Sequence, residues 1–506
     1  MYSTKNSIST KISFSFLMIF SLSFLQKCLA FGRDFILTSR YGASFLTDAF
    51  YIALSIPEFF VVFTGIDAVQ GTSTSLLAPS VKKNPYKFMR GCILILLCTL
   101  LYSLLFCIVA FASLRYLIQW YLPGYHQEQL SVVLDFSYKA LPLIALVGVF
   151  KYLTSVAGVM GRFFLQNIGE VFVTSCVVLS ILNLEVQDFS KIYYVYHVSY
   201  MLSIVFLMLF LVQYKNIFQW VRIKLIWIQF KQLSILIYPL LLVTGMSQLA
   251  RLTDKGIASY FEEGIITAIS LSNTLASIFG TLIVASLMKI YFPKFSEFYH
   301  SNTQKTQVQS DYSKSLILAF AFLTPITLFL FFHSELIIKA AYFRGDFTIR
   351  NVETTSQNLF IYNLTNLLAP FHLITTYILL VAYKNKHIGK VGILSFSSNI
   401  VFSLLFSWKL GYIGIPLGTL TAYLLYTWGL NHQMRKHTPI KIPSMVWKYL
   451  LFSLVFFGIT IASVKWIATP FIMNYANIIQ LFSFFILSCC VTPLYYYWTK
   501  RYFKTV

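Results

Sequence analysis

Apolar stretches of about 20 residues recur along this chain from one end to the other, and that length spans a bilayer's hydrocarbon core as a helix. In hydrocarbon every backbone N–H and C=O must be paired within its own segment, so such a chain folds as a bundle of spanning helices. Fourteen are expected, approximately at 12–31, 47–69, 91–114, 131–157, 163–184, 192–213, 233–255, 264–291, 313–333, 357–382, 389–408, 413–432, 447–467 and 473–497. No soluble domain fits between them. A mean hydropathy of +0.72 agrees with this class.

The net charge of +22 raises nucleic acid as a partner, and its distribution argues against one. With the N-terminus in the cytoplasm, the even-numbered connections face the cytoplasm. They hold Lys82, Lys83, Lys87 and Arg90, then Arg162, then Lys215, Arg222, Lys224 and Lys231, then Lys289, Lys294, Lys305 and Lys314, then Lys384, Lys386 and Lys390, then Arg435, Lys436, Lys441 and Lys448, with Glu297 and Asp311 as the acidic residues among them. The opposite loops hold Glu128, Glu185, Asp188, Glu262, Glu263, Asp346 and Glu353. This is the positive-inside pattern, kept through every turn, with both termini cytoplasmic. The basic charge then meets anionic lipid headgroups.

The seven cysteines fall in or beside apolar helices without metal-ligand spacing and read as small packing residues. There is no G-x-x-x-x-G-K phosphate loop and no H-E-x-x-H. A secondary transporter, a flippase, a channel or a membrane-embedded transferase fits this inventory.

Charges inside the apolar segments therefore need a reason, since each costs about 3 kcal/mol at a helix centre. The stretch "QKCLAFGRDFILTSRYGASFLTDAF" (26–50) places Lys27 deep in the first helix, Arg33 and Asp34 near its outer end and Asp48 at the start of the second. Arg33 and Asp48 are placed to pair across the junction, each offsetting the other's desolvation. Such cations suit a diphosphate; the plainer reading is a structural ion pair beside a snorkelling Lys27. Asp67, Lys139, Lys151, Glu170 and Arg251 also fall inside or near helices and should face a bundle interior or water. Pro142, Pro239, Pro325 and Pro370 are candidate kinks.

The second half repeats the first faintly at an offset of 220, with 33–49 lying against 253–269. Asp34 meets Asp254, Ser39 meets Ser259 and Thr47 meets Thr267. The expected architecture is all-α and integral to the membrane. Two six-helix lobes, 1–220 and 221–440, are followed by two further helices within 441–506.

Arg33-Asp34, Gly42-Ala43-Ser44, Thr47-Asp48-Ala49-Phe50 and Pro57 form an "RD…GA…TDAF…P" signature. "SQ" at 247–248 with Asp254, Ala258-Ser259 and Gly264, "YFRGDFT" (342–348) and "GYIGIPLGTLTAYLLY" (411–426) follow in order. Together they resemble the MurJ (MviN) lipid II flippase family of the MATE-like multidrug/oligosaccharidyl-lipid/polysaccharide exporter superfamily. The resemblance implies two lobes that rock around a cavity whose arginines meet the substrate's diphosphate and sugar. At those positions this chain has Lys27, Arg33, Val61 and Asn273. Lysine keeps the charge and loses the bidentate fork. Lys27, Arg33, Asp48, Arg251 and Asn273 are the candidate substrate-binding residues.

In some relatives helices seven, eleven and twelve hold a sodium ion. The matching positions are Asp254, Asn399, Ser403, Thr419 and the Ile415 carbonyl, an all-oxygen set that suits a hard cation. Interhelical polar packing is the alternative. No cofactor is expected, with Na+ or the membrane potential as driving force.

The expected function is movement of a polyprenyl-diphosphate-linked saccharide, lipid II or a related glycan, across a bacterial inner membrane. The protein would be a monomeric transporter and not an enzyme. A flippase for O-antigen, capsule or exopolysaccharide units is an alternative. A MATE-like drug/cation antiporter is another, disfavoured by a cationic cavity. A membrane glycosyltransferase would rely on Asp346 and Arg350.

Overall fold

A computed structural model describes residues 2–63, 85–160, 162–183, 186–212, 223–299, 305–438, 440–472 and positions 477, 479–480, 483–484 and 486. Every element among them is helical: α1 (Tyr2–Tyr41), α2 (Phe45–Phe63), α3 (Pro85–Tyr121), α4 (Gln127–Ala140), α5 (Leu143–Val159), α6 (Phe163–Asn183), α7 (Ile192–Val212), α8 (Ile223–Ala258), α9 (Ile265–Tyr299), α10 (Lys305–Phe332), α11 (Ser334–Tyr342), α12 (Ile349–Asn363), α13 (Ala369–Val381), α14 (Asn385–Leu410), α15 (Gly414–His437) and α16 (Ser444–Ile472), with three short 3₁₀ turns. Among the described residues, eight segments are long and apolar enough to cross a membrane, or nine if the bent α12–α13 pair is one span.

Helices stand at the first thirteen expected positions, the second described only as far as Phe63. α4 with α5 forms one, α12 with α13 another, and α11 is a short extra helix. Several run longer than the apolar stretch alone predicts, as α3 does, because helix continues past the hydrocarbon into the flanking polar residues. The expected fourteenth helix lies mostly outside the described residues. Phe484 within it is buried in a cluster with Ala468, against which Phe329, Leu336 and Val464 pack. Asp67 and the basic clusters at 82–83 and 215–222 also lie outside them.

Two spans break where proline forbids a continuous ladder. Pro142 sits at the N-cap of α5, and Pro370 lies in the first turn of α13 after a 41° bend. Pro57 and Pro325 lie within single helices, α2 and α10. At the second break, asparagines satisfy backbone. Asn363 Nδ2 donates to the Thr327 carbonyl (2.6 Å), and Asn366 Nδ2 donates to the Ala276 carbonyl (2.8 Å).

The chain divides into two compact units, Met1–Tyr260 and Phe261–Val506. The repeat read from sequence returns in their elements. α2 and α9 begin 220 residues apart, as do α3 and α10; α6 and α14 begin 222 apart, as do α7 and α15. Helix pairings recur too: α2 on α4 and α9 on α12, α3 on α5 and α10 on α13, α6 on α7 and α14 on α15. Both long-helix turns need a left-handed residue, supplied by Gly42 (φ 63°) and Gly264 (φ 88°). Thr47 and Thr267, matched by the repeat, are both fully buried beyond those turns.

Candidate functional site

Within the first unit, α1 brings Arg33 and Asp34 into the bundle. Asp34 is 1% exposed and the Arg33 side chain 21%. Neighbours in a helix do not normally face each other, but the long arginine folds back. Its Nε and Nη2 donate to Asp34 Oδ1 at 2.9 and 2.7 Å, and Nη1 donates to the Tyr196 hydroxyl at 3.2 Å. The expected Arg33–Asp48 pair is corrected: the adjacent carboxylate captures the guanidinium first. Asp48 is 1% exposed in the first turn of α2, where the helix N-terminus favours negative charge. The turn before it is fixed by Thr47 Oγ1, which accepts from the Ser44 backbone N–H at 2.9 Å.

Further charges join this pair through two tyrosines of α7. Tyr196 and Tyr200 lie within electrostatic reach of Arg33 and of Glu58 on α2, and Tyr200 also of Glu170 on α6. Glu170 is in turn faced by Lys151 of α5 and Lys27 of α1. On α8, Lys255 is faced by Glu58, Arg251 and Asp48, and its ammonium donates to the Tyr51 carbonyl at 2.8 Å. Glu58, Glu170 and Arg251 are exposed despite lying in the helical bundle. Charges in membrane-spanning helices as a rule face a bundle interior or water in place of lipid.

From sequence, Lys27 lies deep in the first helix and Lys151, Glu170 and Arg251 should face a bundle interior or water; with Arg33 and Asp48 they fall within electrostatic reach of one another through intermediate groups. It missed Glu58 and Lys255, although both were legible as charges in apolar helices. It also expected a lining dominated by cations. Among the described residues the cations Lys27, Arg33, Lys151, Arg251 and Lys255 are interleaved with Asp34, Asp48, Glu58, Glu170 and Asp254. Lys139 belongs elsewhere, in an ion pair with Asp135 (2.6 Å) and a hydrogen bond to Ser190 (3.0 Å). Val61, expected at the cavity wall, is 3% exposed and packed inside protein.

In the second unit Asn273 is half-buried on α9. Asn399, Ser403, Ile415 and Thr419 do come together. Ser403 Oγ donates to Asn399 Oδ1 (3.1 Å) and lies 3.4 Å from the Ile415 carbonyl, which Thr419 Oγ1 also approaches at 3.4 Å. Asp254 is 5% exposed in the first unit. The donor type, all oxygen, fits a hard cation. In the second unit these donors are neutral and bond one another, so the same geometry serves helix packing. No group of three or more His, Cys, Asp or Glu able to hold a metal occurs among the described residues.

The close approach of α14 and α15 depends on missing side chains. A Cβ at Gly418 would lie 2.3 Å from Ser403 Oγ and 2.5 Å from its backbone N, and one at Gly414 2.2 Å from the Ser407 N. Gly418→Val is therefore expected to cost about 2 kcal/mol through overpacking. Melting in detergent should fall below wild type; an unchanged melting temperature would show that the helices separate freely.

The "YFRGDFT" stretch links α11 to α12. Tyr342 and Phe347 are buried with ring centroids 5.9 Å apart, and Thr348 caps α12 by accepting from the Asn351 N–H. Arg350 pairs with Glu262, and the Tyr412 hydroxyl donates to Gln357 (2.7 Å). Asp346 is exposed.

A sequence model of the family described as "Lipid II flippase MurJ" matches residues 37–488. The chain belongs to this family. MurJ-family relatives of similar length include a probable lipid II flippase of Aquifex aeolicus, 24% identical over 490 residues and 90% of each chain. One from Thermotoga maritima is 23% identical over 419 residues, 80% of this chain and 82% of its own. The fold is similar to that of a lipid II flippase MurJ in an inward closed conformation, with a TM-score of 0.76 at 17% identity over 95% of this chain and 99% of that one. It is also similar to an inward-facing multidrug resistance MATE family transporter of the MOP superfamily, with a TM-score of 0.62 at 13% identity over 81% and 94%. A multi-pass membrane protein of the MurJ and MATE fold is thereby shown, as the sequence led one to expect.

Proposed function

We propose that this protein is a flippase that moves lipid II, or a closely related polyprenyl-diphosphate-linked saccharide, from the cytoplasmic to the periplasmic leaflet of a bacterial inner membrane. The observation that carries this reading is the network of charges inside the first unit, in a chain of the MurJ family. An anionic headgroup must leave water to cross the bilayer. Lys27, Arg33, Lys151, Arg251 and Lys255 offer it positive charge along the way, and the interleaved carboxylates keep those cations tolerable when no substrate is bound. Movement needs no bond to be made or broken, so the protein acts as a transporter and not as an enzyme. It works as a monomer, amid anionic lipids that meet its basic connections.

The driving force is the membrane potential or a sodium gradient. Asn399, Ser403, Thr419 and the Ile415 carbonyl would help hold the ion. The departures at Val61 and Asn273 favour one second reading, a related lipid-linked glycan in place of lipid II.

The deciding experiment expresses this protein in cells depleted of their own lipid II flippase. Growth and outer-leaflet exposure of lipid II are expected to return. Normal membrane abundance without lipid II exposure would overturn lipid II as substrate.

Orientation is tested separately. A cysteine at the exposed Glu353 should label from outside, and one at the exposed Lys386 only after permeabilisation. The reverse pattern would overturn the cytoplasmic placement of the termini.

A further inference from the structure

We propose that Arg251 and Lys255 of α8 form the subsite that binds the substrate's diphosphate, an inference that rests on the transport function above. The two lie one turn apart, on the same helix face, separated by about 6 Å of rise. Arg251 is exposed and Lys255 half-buried. Ion pairs between described residues include those of Arg33, Lys139, Lys339 and Arg350, and none of these draws on Arg251 or Lys255.

Their donors are uncommitted. Lys255 spends one of its three N–H groups on the Tyr51 carbonyl, which fixes the ammonium against α2. Glu58 and Asp48 act on it electrostatically. Arg33, by contrast, has directed Nε and both Nη atoms to Asp34 and Tyr196. With three of its five N–H groups spent, Arg33 has fewer donors to offer an anion than the Arg251–Lys255 pair of α8, although it carries the stronger sequence signature.

Two like charges a turn apart repel and destabilise a helix in the absence of a ligand. An anion with two charged centres relieves that repulsion: the guanidinium fork takes one phosphate and the ammonium the other. A monophosphate reaches one partner well and the other poorly. Glu58 then serves as the resting counter-ion of Lys255, which a bound diphosphate displaces.

The test uses the purified full chain in phosphatidylcholine nanodiscs with undecaprenyl diphosphate as probe. Undecaprenyl phosphate, phosphatidylglycerol and soluble inorganic pyrophosphate are the comparators. Lys255→Gln and Arg251→Gln are each expected to weaken undecaprenyl diphosphate binding by about tenfold or more, the worth of a charged hydrogen bond. Undecaprenyl phosphate binding should change far less. Pyrophosphate should compete with the lipid in wild type and fail to do so in the paired variant, which separates headgroup recognition from lipid-tail binding. Glu58→Gln should tighten diphosphate binding, because the competing carboxylate is gone; this variant leaves Lys255 and its Tyr51 contact intact.

Wild-type affinity in Lys255→Gln, or unchanged or weaker binding in Glu58→Gln, would overturn the subsite and leave the transport function standing. Equal losses for undecaprenyl phosphate or phosphatidylglycerol would also overturn it, as the site would then take any lipid phosphate. Failure of the wild-type protein to bind undecaprenyl diphosphate would overturn the transport reading and the subsite with it.

Discussion

Arg33→Ala is expected to abolish transport and to destabilise the protein by about 3–5 kcal/mol, the cost of stranding one member of a buried ion pair. Asp34 is 1% exposed, and the guanidinium supplies both hydrogen bonds to its Oδ1. Without Arg33, the carboxylate must either stay charged in a poorly solvated site or take up a proton. Tyr196 would also lose its link to α1. Arg33→Lys keeps one charge but cannot reach Asp34 with two donors while also meeting Tyr196, so an intermediate loss is expected. The double variant Arg33→Ala, Asp34→Asn removes both charges and should recover much of the stability. Transport should partly return with it, because Arg251 and Lys255 keep their charge. Membrane abundance, melting in detergent and outer-leaflet lipid II exposure are the measurements. A melting temperature for Arg33→Ala equal to wild type would refute the structural role.

The presence of Arg33 and Asp34 inside an apolar helix is plain in sequence, because a charge at that depth violates the local pattern. Its partner is a matter of side-chain reach, and periodicity carries no information on whether an arginine folds back one residue or stretches across a turn. The same limit explains Lys255. It stands in "TDKGIAS" beside Asp254, the repeat's match to Asp34, while its role depends on the approach of the Tyr51 carbonyl from another helix.

Helix number and type were legible for a stronger reason. Each span must satisfy its own backbone, so local hydropathy decides it. The breaks at Pro142 and Pro370 were legible too. The continuation of α2 and α10 through Pro57 and Pro325 depends on how neighbours pack around the proline. The faint repeat proved informative since matched elements begin 220 to 222 residues apart. Identities between the halves have faded, while the spacing of helices and turns has been kept.

Val61→Arg is expected to destabilise the protein by several kcal/mol instead of restoring a lost substrate contact. Matching to the family's pattern puts Val61 where a cavity arginine stands, and by that logic adding charge there improves the grip on diphosphate. The structure opposes it, because Val61 is 3% exposed. A guanidinium there must displace packed side chains and find a counter-ion. The turn of α2 that meets the charge network is marked by Glu58, three residues earlier and exposed. Three residues advance a helix by about 300°, so Glu58 and Val61 lie on neighbouring but distinct lines of α2. Asn273→Arg on half-buried α9 should be tolerated far better, and the two single variants separate the cases. Melting and membrane abundance are measured first, then lipid II exposure in flippase-depleted cells. Stable, abundant Val61→Arg with raised lipid II exposure would show that α2 turns this face to the cavity during transport, and would return Val61 to the substrate path.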